Sequence, residues 1–125
     1  MQTISKFIQF IVGVTDMPKA KEFYADKLGL KIMTDFRQED SRWWVSLATP
    51  GGGATIVLST YYGEQKPGTM SLYFGTSDIA LAHKELSGKG LNVTEIKDDL
   101  YGPGSGVAWF TCKDPDGSVI YLAQS

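Results

Sequence analysis

The sequence predicts an α+β fold made of two consecutive βαβββ modules. Three observations predict it. Short runs of aromatic and β-branched residues are separated by glycine- and proline-containing turns, an amphipathic helical stretch follows the first strand of each half, and the same element order occurs twice. Because 125 residues suffice for one compact domain, both modules are assigned to a single domain over residues 1–125.

The first module covers about residues 4–60. Four of its segments have the composition of strands: Phe7–Val12, Lys31–Phe36, Trp43–Ala48 and Thr55–Ser59. Between the first two, apolar residues recur at helical spacing, namely Met17, Ala20, Phe23, Tyr24 and Leu28. Thr15 or Asp16 is expected to cap this helix, and Gly29 to end it.

A linker over residues 61–68 precedes the second module, which covers about residues 69–125. Its helix is expected to begin after Ser77 or Asp78 and to end near Gly88 and Gly90. Strands are expected over Met70–Thr76, Val93–Lys97, Val107–Cys112 and Val119–Leu122. A shift of ~62 residues places the first helix start on the second, which is the signature of an internal repeat.

Composition excludes several classes of function. The net charge of −2 gives no basic field that would attract nucleic acid or an anionic membrane. His83 is the only histidine, so a site built on two imidazoles is excluded, and Cys112 is the only cysteine, so no internal disulfide forms. The chain shows neither a signal-peptide pattern nor an apolar stretch of the ~20 residues that span a bilayer, so a cytoplasmic location is expected.

One helix per module can cover only one face of each sheet. The two sheets are therefore expected to form a curved mixed sheet that encloses a cleft, a common place for small ligands. Strand alternation directs Ile8, Phe10 and Val12 towards the helix, and Gln9 and its neighbours Phe7 and Ile11 towards the cleft.

Two runs carry a family resemblance. The run from Val14 to Leu30 (VTDMPKAKEFYADKLGL) resembles the first-module signature of the vicinal oxygen chelate superfamily, which includes glyoxalase I, extradiol dioxygenases and bleomycin-resistance proteins. The run from Lys113 to Leu122 (KDPDGSVIYL) resembles the ending of its second module. The resemblance implies the glyoxalase/bleomycin-resistance-like fold and a homodimer, but not one chemistry, because the fold hosts several activities.

In the metal enzymes of that superfamily, four inward positions supply the ligands. The resemblance places these positions at Gln9, Val57, Ser71 and Tyr121. Only Gln9 is a residue type that the family uses for metal, and an amide with a hydroxyl is a poor donor set for a divalent ion. The resemblance therefore implies the branch without metal, and we assign no catalytic residue, no metal ligand and no cofactor.

The tryptophans are the most informative candidates for ligand binding. Trp43 and Trp44 are adjacent, so on a strand they point to opposite faces, and the sequence leaves open which of them faces the cleft. Trp109 could face the cleft as part of an aromatic clamp, or could be a core residue. The full candidate set is Gln9, Trp43, Trp44, Val57, Ser71, Tyr73, Tyr101, Trp109 and Tyr121.

Other residues have more ordinary interpretations. The glycine-rich segment over residues 98–106 is either a lid carrying Tyr101 or a plain surface loop. A structural role is favoured for His83, and burial for Cys112. Asp114–Gly117 fits a type I turn.

The sequence favours metal-independent binding and sequestration of a small aromatic or amphipathic molecule, which includes a cationic, drug-like one because the chain is mildly acidic. This is the activity of an antibiotic-resistance protein of the bleomycin-resistance type. Two alternatives stay open. One is a metal-dependent glyoxalase, lyase or dioxygenase whose ligands lie elsewhere in the sequence, and the other is a dimeric interaction domain with a closed cavity.

Overall fold

The computed structural model describes residues 3–61 and 66–125. They fall into two compact units, the first ending at Pro67 and the second beginning at Gly68, a boundary that lies inside the predicted linker 61–68. Residues 62–65 of that linker lie outside the described residues. Within the described part, no helix is both long enough and apolar enough to cross a membrane.

The first unit is a four-stranded sheet with one helical segment. Its strands are β1 (Gln9–Gly13), β2 (Lys31–Glu39), β3 (Arg42–Ala48) and β4 (Thr55–Ser59). They lie in the order β1-β4-β3-β2, with β1 parallel to β4 and the other two pairs antiparallel. Strand β1 begins at Gln9 rather than at Phe7, and β2 is longer than expected.

The helical segment begins as α1 (Met17–Lys21) and widens into a π-helical stretch over Glu22–Lys27. Of the two candidate caps, the structure uses Asp16, whose side chain accepts a hydrogen bond from the Lys19 amide at 3.1 Å. Gly29 ends the segment with φ +81°, a conformation that glycine adopts without a steric penalty.

The core of the first unit lies between this helical segment and one face of the sheet. Met17, Ala20, Phe23 and Tyr24 are buried on the helix side, and their partners from the strands are Val12, Val45, Leu47, Ile56 and Leu58. At the edge of this core, Asp35 accepts hydrogen bonds from Lys21 Nζ at 2.5 Å and Trp43 Nε1 at 2.7 Å. This polar contact joins the helix to β2 and β3.

The second unit contains β5 (Ser71–Thr76), α2 (Ile79–Gly88), β6 (Trp109–Lys113) and β7 (Val119–Gln124). Its sheet has the order β5-β7-β6, with β5 parallel and β6 antiparallel to β7. Asp78 caps α2 by accepting from the Leu81 amide at 3.0 Å, as Asp16 does in the first unit. The α+β prediction with two mixed sheets is therefore correct.

The strand predicted over Val93–Lys97 is wrong, because this segment forms only an isolated bridge between Lys97 and Trp109. The Thr94 amide donates to the Thr111 carbonyl at 3.0 Å, but the Thr111 amide donates to the Thr94 hydroxyl at 2.9 Å, and the Thr94 carbonyl accepts from His83 Nε2 of the helix at 2.9 Å. The regular pattern of ladder hydrogen bonds is therefore broken at Thr94. His83 thus has the structural role that the sequence favoured.

The second repeat ending is a turn held by a buried carboxylate. Asp114 Oδ1 accepts from the amides of Asp116 at 3.0 Å and Ser118 at 2.8 Å, and the Gly117 amide closes the turn onto the Asp114 carbonyl. Ser118 is fully buried, and its hydroxyl accepts from the Met70 amide at 3.1 Å. The residues of this turn therefore have a structural role.

The Asp35 contact makes a prediction about acid stability. Lys21, and secondarily Trp43, hold the pKa of the Asp35 carboxyl below its ordinary value despite partial desolvation. A lowered folded-state pKa stabilises the protein above the unfolded-state pKa of about 3.9, and this contribution is lost as the pH falls through the folded-state value. We expect Asp35→Asn to lower the free energy of unfolding at neutral pH by about 0.5–1 kcal/mol.

Urea unfolding measured at steps from neutral pH to about pH 2 tests this expectation, and the gap between Asp35→Asn and the parent should close in acid. Asp98→Asn is the matched control, because the Asp98 carboxylate makes no ion pair among the described residues. A gap independent of pH would contradict the assigned role of the Asp35 charge.

A second prediction concerns the reactivity of the Cys112 thiol. Cys112 is 3% exposed on the inner face of β6, and burial raises the pKa of its thiol to about 11. At pH 8 only about one thiol in a thousand would be ionised, so reaction with a disulfide reagent should be at least about 100-fold slower in native than in urea-unfolded protein. Rapid stoichiometric labelling of the native protein would contradict the burial.

Candidate functional site

A pocket of about 370 Å³ lies on the face of the first sheet that the helix does not cover. This volume is within the range of small-molecule sites. All four strands contribute, and the chain that follows β4 adds one residue. The lining residues are Gln9, Ile11, Phe36, Gln38, Arg42, Trp44, Val57, Ser59 and Tyr61.

Strand register places the pocket residues beside one another. Ile11 on β1 is paired with Val57 on β4, Trp44 on β3 is paired with Ser59 on β4, and Phe36 on β2 is paired with Trp44. Val57 and Ser59 therefore form the floor in the middle of the sheet. The larger side chains stand on either side of this floor.

The structure decides which of the adjacent tryptophans faces the pocket. Trp44 lines it, is 40% exposed and has its ring 5.8 Å from that of Phe36. Trp43 lies on the helix side, where Arg37 is 4.6 Å and Lys21 5.5 Å from its ring centroid. Trp43 is thus placed away from the pocket, although it was among the candidates, because consecutive strand residues alternate between faces.

One end of the pocket is polar and organised by Tyr61. The Ser59 hydroxyl donates to the Tyr61 carbonyl at 2.7 Å and accepts from the Tyr61 amide at 3.0 Å, which fixes the chain as it leaves β4. The guanidinium carbon of Arg42 lies 5.2 Å from the Tyr61 ring centroid, within the range of a cation–π contact. Gln9 lies at the opposite end, paired with Thr55.

The second unit has an aromatic surface of its own. The rings of Tyr73 and Tyr121 are nearly parallel, with centroids 4.2 Å apart, and the ring of Trp109 also stacks on Tyr121, with centroids 5.8 Å apart. The three rings form a row. Trp109 Nε1 donates to Asp99 Oδ1 at 2.9 Å, which fixes the orientation of the indole. These three rings lie on neighbouring strands, on the face that is not buried against α2.

The remaining candidates surround this row. Ser71 is exposed on β5 two residues before Tyr73, so the two share a face of the strand. Desolvation, with the neighbouring Tyr121 and Tyr101 phenols, raises the pKa of Tyr73. Tyr101 itself is 78% exposed in the glycine-rich segment.

The whole-chain comparisons place these features in a family. The Glyoxalase/Bleomycin resistance protein/Dioxygenase superfamily matches residues 6–122. The chain belongs to this superfamily. This match confirms the family that the two signature runs predicted.

Solved structures of the superfamily resemble the whole chain. TnmS3, an antibiotic binding protein from Streptomyces sp. CB03234, is 30% identical with a TM-score of 0.83, over 99% of this chain and 98% of that one. A glyoxalase/bleomycin resistance protein from the same organism is 28% identical with a TM-score of 0.79, over 95% and 100% of the two chains.

Curated relatives are more distant. The lactoylglutathione lyase GLX1 of Arabidopsis thaliana is 26% identical over 133 residues, which are 95% of this chain and 44% of the plant protein. The chain therefore spans less than half of that enzyme. The uncharacterized protein YetH of Bacillus subtilis is 26% identical and matches 90% of this chain and 92% of its own length.

The resemblance assigns the metal-ligand positions to Gln9, Val57, Ser71 and Tyr121, and none of these four residues carries a carboxylate, an imidazole or a thiolate. Val57 has no donor atom, and the Tyr121 ring is stacked between two other aromatic rings. Gln9 in the first unit and Ser71 in the second offer only a neutral amide oxygen and a hydroxyl. Among residues 3–61 and 66–125, no three His, Cys, Asp or Glu side chains cluster as a metal site would require.

Sequence reasoning named three of the nine pocket residues, Gln9, Trp44 and Val57. The candidate set leaves out the other six, which are Ile11, Phe36, Gln38, Arg42, Ser59 and Tyr61; for Arg42, the sequence favoured a solvated charge at a strand end over contact with an anionic group. The alternation of β1 did direct Ile11 to the cleft face with Gln9, although Ile11 was not placed in the candidate set. Phe36 and Gln38 depend on the pairing of β2 with β3, which contains two register shifts that no local pattern indicates.

Proposed function

We propose that this chain binds a small aromatic or amphipathic molecule and sequesters it, without a metal and without turnover. The observation that carries the proposal is the pocket on the first sheet, where the rings of Phe36 and Trp44 form one wall and the aliphatic Ile11 and Val57 lie beside it. An apolar surface with a few polar groups at its ends is suited to a ring system with polar substituents.

The chemistry of the lining favours binding over catalysis. Among the described residues that line the pocket there is no His, Cys, Asp, Glu or Lys, the side chains that most often act as general acids, bases or activated nucleophiles. Ser59 has a hydroxyl, but both of its hydrogen bonds go to the Tyr61 backbone. A serine so engaged lacks the adjacent base that would activate it.

The relatives support the same proposal. TnmS3 is described as an antibiotic binding protein and resembles this chain over nearly its whole length. By this analogy the ligand is a drug-like compound and the physiological role is resistance by sequestration. A cytoplasmic homodimer is part of the proposal, as is the absence of nucleic-acid and membrane partners.

The pocket also bears on the two alternatives. An interaction domain with a closed cavity is disfavoured by a pocket large enough for a small molecule. A metal-dependent lyase or dioxygenase is disfavoured by the side chains at Gln9, Val57, Ser71 and Tyr121, whose donor chemistry does not suit a divalent ion.

A pair of adjacent substitutions tests the proposal. Titration calorimetry with planar polycyclic dyes and antibiotics, including ethidium and 8-anilinonaphthalene-1-sulfonate, should show saturable binding of at least one compound. Trp44→Leu should then weaken that binding by about tenfold or more, because the ligand loses its stacking surface. Chromatography of the mixture should recover the compound unchanged.

Trp43→Leu is the matched control, since it removes the same side chain from the opposite face of the same strand. It should change the affinity by less than about twofold while lowering the stability at least as much as Trp44→Leu, because Trp43 packs against Lys21 and Asp35. Equal losses of affinity in the two variants, or no saturable binding by any compound, would overturn the proposal.

A further inference from the structure

The charge of the pocket is concentrated at one end. Among the described residues that line it, Arg42 is the only charged one, and the other polar members are the neutral Gln9, Gln38, Ser59 and Tyr61. Arg42 lies two residues from Trp44 on the same face of β3, which corresponds to about 7 Å along a strand. A guanidinium therefore lies about one ring system away from the aromatic wall.

Among the described residues, the Arg42 guanidinium makes one long ion pair, with Glu39. Its Nε is 3.8 Å from Glu39 Oε1, beyond hydrogen-bonding distance, and that oxygen already accepts from the Ser41 hydroxyl at 2.9 Å. The guanidinium lies instead over the Tyr61 ring, with its side chain 56% exposed. Its planar set of N–H donors thus remains available to an incoming anion.

At the opposite end of the pocket, the described lining residues carry no charge. Gln9 and Ile11 on β1 contribute an amide and an aliphatic side chain there, and the floor between the ends contains Val57. The polarity of the pocket therefore changes along its length, from a neutral end at β1 through an apolar middle to a cationic end at Arg42. A ligand that matches this polarity has a flat apolar body and a negative group at one end.

We propose, on the basis of the binding function above, that the pocket selects aromatic anions, in which a planar ring packs against Trp44 and Phe36 and a carboxylate or sulfonate pairs with Arg42. Arginine matches the planar, two-oxygen geometry of these groups. The acidic composition of the chain was compatible with a cationic ligand, but the local charge of the pocket opposes one, because like charges would meet at Arg42.

Three derivatives that share the naphthalene ring and carry an anionic, a neutral or a cationic substituent test this selectivity: 2-naphthoate, 2-naphthamide and 2-naphthylmethylammonium. Calorimetry on the unmodified chain should show 2-naphthoate binding about tenfold more tightly than 2-naphthamide, and the cation most weakly. Arg42→Gln should remove that preference, so that 2-naphthoate and 2-naphthamide bind within about twofold of each other. Arg42→Lys, which keeps the charge and loses the fork, should retain part of the preference.

Arg37→Gln is the matched control, because it changes the net charge equally but lies over Trp43 on the other face and pairs with Asp40. The preference for 2-naphthoate should persist in this variant, and the circular dichroism of each variant should establish that it is folded. Equal loss of preference in the two arginine variants would overturn the inference by showing a general field effect.

The outcomes separate this inference from the function on which it rests. Binding of 2-naphthamide and 2-naphthoate with equal affinity, lost in Trp44→Leu, would overturn the charge selectivity and leave the binding function standing. Absence of binding by all three compounds, together with a flat dye and antibiotic panel, would overturn both. Tighter binding of the cation than of the anion would overturn the selectivity alone.

Discussion

The two-residue alternation of a β-strand is the constraint from which the rest of the first unit follows. A single helical segment can cover only one face of the four-stranded sheet, so on β3 the residues of one parity enter the core and those of the other parity face away from the helix. Val45 and Leu47 are buried on the core face, whereas Arg42 and Trp44 line the pocket. Core and binding surface are thus the two sides of the same strands.

Contacts on the helix-covered face of the first sheet also fix the geometry of the face that carries the pocket. Asp35 links Lys21 of the helix to Trp43 of β3, and the cations of Lys21 and Arg37 lie over the Trp43 ring. Because Trp43 is held on the helix side by these contacts, the alternation of the strand places its neighbour Trp44 on the opposite face. An ionic contact on the core side therefore supports the aromatic wall of the pocket.

The two units share a plan and differ in what they carry on the open face. Both begin with a strand, cap their helix with an aspartate at equivalent positions, and place the first and last strands side by side in parallel. The first unit has a pocket with mixed aromatic and polar walls, and the second has a compact stack of Tyr73, Tyr121 and Trp109.

Apart from one strand of the second module, the sequence by itself determined the element order, the repeat, the helix ends and the family, since these depend on local periodicity, capping chemistry and glycine. It also limited the tryptophan pair to one residue per face. Only the tertiary structure decided that Trp44 is the one in the pocket, and that Phe36, Arg42 and Tyr61 join it, because pairing of distant strands sets these neighbours. The absence of the strand expected over Val93–Lys97 is also a tertiary feature, since the Thr94 carbonyl is bonded to His83 of the helix and the segment makes only an isolated bridge to β6. Local sequence patterns indicate which secondary structure a segment favours, whereas the tertiary fold determines which distant residues its side chains and backbone groups contact.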